Sequence, residues 1–178
     1  MACEKLTEAV VFDTELGWFG LCWSHEDVAR VTIGHRSAHA ASRKLPSNHL
    51  VSLDSITSSQ RDLVERLEDF ATGDFVKFDD INLNFAHATP FQRRVLMACR
   101  RIRWGQTRTY AELANKAGSP RAARAVGTVM ANNRFPIVIP CHRVVGSNDR
   151  LGGFSAPGGL TLKQRLLNNE DSELRTAL

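Results

Sequence analysis

Nowhere in its 178 residues does this chain hold an apolar stretch near the roughly 20 residues of a membrane span. Met1 to Val10 carries no signal-peptide pattern. Both absences predict a cytoplasmic, or at least intracellular, protein with no membrane partner, nuclear if the source is eukaryotic. Cysteine is scarce and irregularly spaced: Cys3, Cys22, Cys99 and Cys141 include no tight CxxC pair. That fits a reducing compartment better than a disulfide framework. Zinc held by Cys3 and Cys22 with His25 or His87 is weighed on the same spacing and set aside in favour of ordinary packing of small side chains. No GxGxxG, P-loop or internal repeat is present, so nothing argues for a nucleotide or methyl-donor cofactor, and with zinc set aside neither cofactor nor metal is expected.

Acidic residues are missing from one half only. Residues 1–85 hold 8 Lys+Arg against 14 Asp+Glu, net −6, whereas residues 86–178 hold 15 against 5, net +10. Between Arg93 and Arg150 there are 12 basic residues, with only Glu112 and Asp149 opposing them. A solvated basic face would need no partner, but this concentration in one half is a polyanion-binding composition. Otherwise the chain is 43% apolar and 24% charged, ordinary for a globular protein of one or two small domains.

The first third reads as an antiparallel meander of Thr7 to Phe12, Trp18 to Trp23 and Val28 to Ile33, separated by stretches of turn composition. Gly34 to Asn48 is expected to be a surface excursion with little regular structure. Leu63, Val64, Leu67 and Phe70 fall at helical spacing, with Gly73 placed as a C-cap. Phe75 to Phe78 could return to the sheet. A boundary is placed near Asn84 to Ala88, giving a scaffold domain over 1–85 and a second domain over 86–178.

Helix signals dominate beyond it. Thr89-Pro90-Phe91-Gln92 joins a capping box to a Pro at the first helical position. Phe91, Val95, Leu96, Cys99 and Ile102 mark the buried stripe, and Arg93, Arg94, Arg100, Arg101 and Arg103 line the other side. Thr109 to Glu112 opens a second helix. Gly118-Ser119-Pro120 is read as a turn capping a third, Arg121 to Ala131, which resembles a helix-turn-helix. Small residues keep that last helix slim, and Arg121 and Arg124 project from it. Gly146 to Gly159 is loop-like, and a final helix capped by Thr161 and Gln164 runs to Glu170.

Ile137 to Val145 is an apolar run broken at its centre by Pro140, Cys141, His142 and Arg143. It reads as a buried strand that bends where the thiol sits. Cys141 has two readings: an inert core thiol, since free Cys is among the most buried residue types, or a thiolate activated by a base or cation. Neighbours on a strand point to opposite faces, so adjacency to His142 does not decide between them.

Five motifs in order do decide. Thr-Pro-Phe-Gln at Thr89, Arg-Thr-Tyr-Ala-Glu-Leu-Ala at Arg108, Pro-Arg-Ala-Ala-Arg-Ala-Val-Gly at Pro120, Ile-Pro-Cys-His-Arg-Val-Val at Ile139 and Leu-Gly-Gly-Phe-Ser at Leu151 together resemble the 6-O-alkylguanine-DNA alkyltransferases. The resemblance is close over residues 89 to 170. It implies an α+β fold: a small N-terminal antiparallel sheet with a helix, ribonuclease H-like, and a C-terminal winged-helix or helix-turn-helix domain carrying the reactive cysteine. The reaction implied is a single-turnover transfer of the alkyl group from guanine O6, with 4-O-alkylthymine a second candidate, to Cys141. His142 and Glu170 resemble the relay that draws off the thiol proton. Tyr110 resembles the hydroxyl that donates to the departing base, and Asn133 the side chain that holds the thiol loop.

Because the lesion is out of reach inside a duplex, the nucleotide must be flipped out. Arg124 resembles the residue that fills the gap. Tyr110, Ala111, Ser119, Ser147 and Arg121 resemble further DNA contacts, and Pro136, Val144, Phe154, Ser155 and Gly159 would line the pocket. The implied partner is double-stranded DNA containing alkylated guanine, met by a monomer. Phe154 stands where some members have Tyr, and Ala156-Pro157-Gly158-Gly159 makes a longer loop than the shortest versions, so the range of alkyl groups is open. Two other classes compete. One is a non-catalytic lesion binder, which would carry Trp in place of Cys141; the other is a plain helix-turn-helix regulator, which would need an effector pocket or dimerisation helix in the first half.

Overall fold

The three β-prone runs at the start of the chain pair as a meander in the computed structural model, which describes residues 7–171 except 48 and 149. Cys3, a candidate ligand above, lies outside the described residues. Strands β1 (Thr7–Phe12), β2 (Trp18–Ser24) and β3 (Asp27–His35) are antiparallel, with Ala9 opposite Cys22 and Cys22 opposite Arg30. Gly34 to Asn48 is more regular than expected: Ser37 caps a short helix, α1 (Ala38–Ser42), by accepting from Ala40 N–H. That excursion lets β4 (His49–Leu50) return beside β1 in parallel, a pairing a tight turn cannot make. The sheet, ordered β3-β2-β1-β4, is therefore mixed rather than purely antiparallel.

Helix α2 (Ser58–Thr72) is opened by the reciprocal Thr57 and Gln60 bonds, and Leu63, Val64, Leu67 and Phe70 are buried. Gly73 closes it at φ 97°, in the left-handed region glycine adopts most easily. Phe75 to Phe78 forms no strand. Phe78 instead packs edge-on against Phe70, with ring centroids 6.2 Å apart, and Leu83 makes a single parallel bridge to Val28. Cys22 is fully buried against Ala9 and Leu45.

Residues divide into two compact units, Met1–Asn84 and Phe85–Leu178. In the second, α3 (Pro90–Arg100) carries the Thr89–Gln92 capping box and buries Val95, Leu96, Ala98 and Cys99. Strand β5 (Arg108–Thr109) leads into α4 (Tyr110–Lys116), whose N-terminus is closed by Thr109 and Glu112. Helix α5 (Ala123–Ala131) starts two residues later than expected. Ser119 does not cap it, because a backbone turn from Ser119 O to Ala122 N–H intervenes. After β6 (Val144–Val145), parallel to β5, comes α6 (Gly159–Glu170). Its N-cap is Gly158 at φ 90° with no side-chain cap, so Thr161 and Gln164 lie inside the helix. Among the described residues no helix is long and apolar enough to cross a membrane.

Candidate active site around Cys141

The run from Ile137 to Val145 is not a strand until Val144. Its apolar character reflects burial of a loop, with Ile137, Val138, Ile139 and Cys141 all at 8% exposure or less. Ile137 sits at φ 72°, a conformation costly for a β-branched residue. Pro140, at φ −76° and ψ 67°, is the centre of an inverse γ-turn, with Cys141 N–H donating to Ile139 O at 2.7 Å. Cys141 then begins a short 3-10 turn through Arg143. Asn133 pins the loop: its Nδ2 donates to Ile139 O at 2.9 Å, and its Oδ1 accepts from Phe135 N–H at 3.0 Å. Burial pushes the Cys141 thiol up, while a hydrogen bond to Asn133, the charge of Lys163 and two backbone hydrogen bonds oppose the rise.

The two residues after the thiol belong to a buried ionic group. His142 is fully buried and its Nε2 lies 2.8 Å from Glu170 Oε1. Arg143 donates to both carboxylate oxygens, Nε to Oε2 and Nη2 to Oε1, each at 2.8 Å. Burial alone would raise the Glu170 carboxyl, but the hydrogen bonds of His142 and Arg143 outweigh it and hold the group at about 2. An ionised carboxylate can only accept, so Nε2 carries the proton of His142 and Nδ1 carries the lone pair. Burial also depresses the imidazole, against the pull of Glu170, favouring its neutral form.

Cys141 lines an open cavity of about 380 Å³ with Tyr110, Gly127, Met130, Ala131, Gly153, Phe154 and Ser155. Tyr110 is held edgewise between glycines. A Cβ at Gly127 would stand 3.9 Å from its ring, and one at Gly152, φ 69°, would come within 2.8 Å of its hydroxyl. Burial raises the Tyr110 phenol, as does the Cys141 charge, and a backbone hydrogen bond with Gly153 works against them. Ser155 Oγ donates to Ala131 O at 2.7 Å, so this wall is tied to the end of α5.

The structure thus brings together Cys141, His142, Glu170 and Asn133, and sets Tyr110, Phe154 and Ser155 in the cavity wall with Cys141. Pro136, Val144 and Gly159, expected in that wall, are not among its lining residues. Pro136 bridges to Ile139, Val144 is buried in β6, and Gly159 begins α6. Arg121, Arg124, Ala111 and Ser147 are exposed, and Ser119 is half-buried. Among the described residues no group of three His, Cys, Asp or Glu side chains could hold a metal.

Two buried cations were missed. Lys163 is fully buried and its ammonium donates to Val144 O at 2.6 Å, to Leu151 O and to Gly153 O. In sequence Arg143 stands out only as a neighbour of Cys141. Both could have been found. Lys163 shares the α6 face of Leu162, Leu166 and Glu170 at helical spacing, and an Arg inside an apolar run needs a buried partner.

The class is set by a helix-turn-helix unit that holds a cysteine in a cavity wall, followed in the chain by a histidine paired with a buried carboxylate. The 6-O-methylguanine DNA methyltransferase DNA-binding domain matches residues 90–172. The methylated-DNA-protein-cysteine methyltransferase of Methanosarcina barkeri is 45% identical over 118 residues, 65% of this chain and 70% of that protein. Its namesake from Mycolicibacterium paratuberculosis is 45% identical over 104 residues, 58% of this chain and 61% of that protein. A crystal structure of Mycobacterium tuberculosis OGT in complex with DNA superposes with a TM-score of 0.73 at 29% identity, covering 93% of each chain. The chain belongs to the methylated-DNA-protein-cysteine methyltransferase family.

Proposed function

We propose that this protein repairs DNA by direct reversal, moving the alkyl group of 6-O-alkylguanine irreversibly onto Cys141, as a monomer acting once. The observation that carries this reading is the Cys141 thiol in the wall of a cavity that Tyr110 also lines, followed in the chain by His142 bonded to the buried Glu170. An inert core thiol would resemble Cys99, which is fully buried and lines no part of that cavity.

The chemistry follows from the groups. His142 Nδ1 takes the thiol proton, directly or through a water, and the thiolate attacks the alkyl carbon. An S–C bond forms as the C–O bond to guanine breaks. Tyr110, kept protonated by its raised pKa, donates to the leaving base. The thioether is not cleaved by water, which makes the reaction stoichiometric. Exposed Arg124 fills the stack vacated by the flipped nucleotide, while Arg121, Ala111, Ser119 and Ser147 contact the duplex. Phe154 in place of a tyrosine offers the alkyl group an apolar wall, and 4-O-alkylthymine is a candidate second lesion.

Incubation with methylated duplex DNA and intact-protein mass spectrometry tests this. One methyl group should appear per chain, on Cys141. Cys141→Ser should accept none while binding DNA nearly as well as the unaltered protein. Methyl transfer by that variant would remove Cys141 from its role.

A further inference from the structure

Glu170 receives more donors than a histidine relay requires. Besides His142 Nε2 it accepts Arg143 Nε and Nη2 at 2.8 Å and Gly105 N–H at 3.3 Å. Arg143 is also anchored independently of the carboxylate, since its Nη1 donates to Ile102 O at 2.6 Å and its guanidinium lies 5.9 Å from the centroid of the Trp104 ring. The cation is thereby held against both carboxylate oxygens.

We propose that Arg143 is a positioning residue for the transfer reaction: by neutralising Glu170 it keeps His142 a neutral proton acceptor instead of an imidazolium. This rests on the function proposed above and deepens it. A buried carboxylate facing an imidazole with no other counter-charge favours the protonated ring. A His142 already carrying two protons has no lone pair for the thiol proton. With Arg143 in place the carboxylate still fixes Nε2–H by a hydrogen bond, but much of its charge is spent on the guanidinium. The carboxylate therefore orients the ring without holding a second proton on it.

Several charged or titratable groups among the described residues act on or adjoin His142. Glu170 and Lys163 come from α6, Arg143 from its own turn, and the Cys141 thiol is its chain neighbour; burial opposes the imidazolium most, Glu170 favours it, and the charges of Arg143 and Lys163 add to the opposition. Cys99 of α3 is coupled to Cys141, Arg143 and Lys163. Of the two cations, Arg143 alone is bonded to the carboxylate.

The test is the acid limb of Cys141 reactivity, read by mass spectrometry of the Cys141 peptide with two electrophiles, 6-O-benzylguanine and iodoacetamide. In Arg143→Gln the limb should move up by at least about one pH unit, so that rates below it fall about tenfold. Arg143→Lys should restore part of the shift. A purely structural role would lower the plateau and leave the limb in place, which would overturn the proposal. Iodoacetamide needs no guanine pocket, so failure with benzylguanine alone would count against the repair function and leave the Arg143 test standing. Should Arg143→Gln not fold, the unaltered protein still decides. Nitrogen-15 spectra should show His142 neutral at pH 7 with the proton on Nε2, and an imidazolium at that pH would overturn the proposal.

Discussion

The roles proposed for Arg124 and Glu170 separate extraction of the base from chemistry upon it. Arg124 is exposed on α5, whereas Glu170 is buried and bonded to His142. Arg124→Ala should slow repair of methylated duplex at saturating protein by at least about tenfold, roughly 1.4 kcal/mol of barrier, yet react with free 6-O-benzylguanine at close to the unaltered rate. Glu170→Gln should slow both, because the free base needs no flipping but still needs the activated thiol. Equal losses for Arg124→Ala on the two substrates would make it an ordinary phosphate contact. At this scale Cys141, His142 and Tyr110 stand inside the motifs, while Asn133 and Glu170 came only with the resemblance those motifs carry; the fold brings Asn133 onto the thiol loop and Glu170 onto His142. What a string of residues could not reveal is that Glu170 is shared with Arg143, since their separation of 27 positions is closed only by the fold.

Among elements, those with chemical end signals were the readable ones. Thr89 and Thr109, each with Gln or Glu three residues on, fixed two helix starts, and Gly73 fixed the end of α2. Starts without a side-chain cap, those of α5 and α6, were misplaced. The segment before Val144 looked like a strand because burial, not alternation, makes it apolar. Helix α6 carries its own prediction. Burial brings the Lys163 ammonium from 10.5 down to about 8, with the charges of Cys141 and Cys99 opposing the fall. Below about pH 8 both folded and unfolded chains hold this proton, and the folded one bears the cost of burying the charge. Between about 8 and 10.5 only the unfolded chain retains it, so Lys163's contribution to stability rises with pH. The stability of the unaltered protein relative to Lys163→Met, measured by urea denaturation, should be greater at pH 9.5 than at pH 7.

Over the whole chain the opposed charges of the two halves, net −6 and net +10, were visible from composition. They predict that affinity for undamaged duplex falls steeply between low and physiological salt, through release of condensed counterions. A flat titration would mean the basic residues serve another purpose. The mixed order of the N-terminal sheet was not readable, because two-residue β4 has too few side chains to show a period. Tyr110, finally, is the single tyrosine in 178 residues, and it lies in the cavity wall beside the thiol. Biosynthetic incorporation of 3-fluorotyrosine therefore yields a protein with one fluorine, placed where the lesion is expected to dock. One fluorine-19 line, displaced when 6-O-benzylguanine enters and displaced again when Cys141 is alkylated, would record occupancy and turnover separately in a molecule that reacts once.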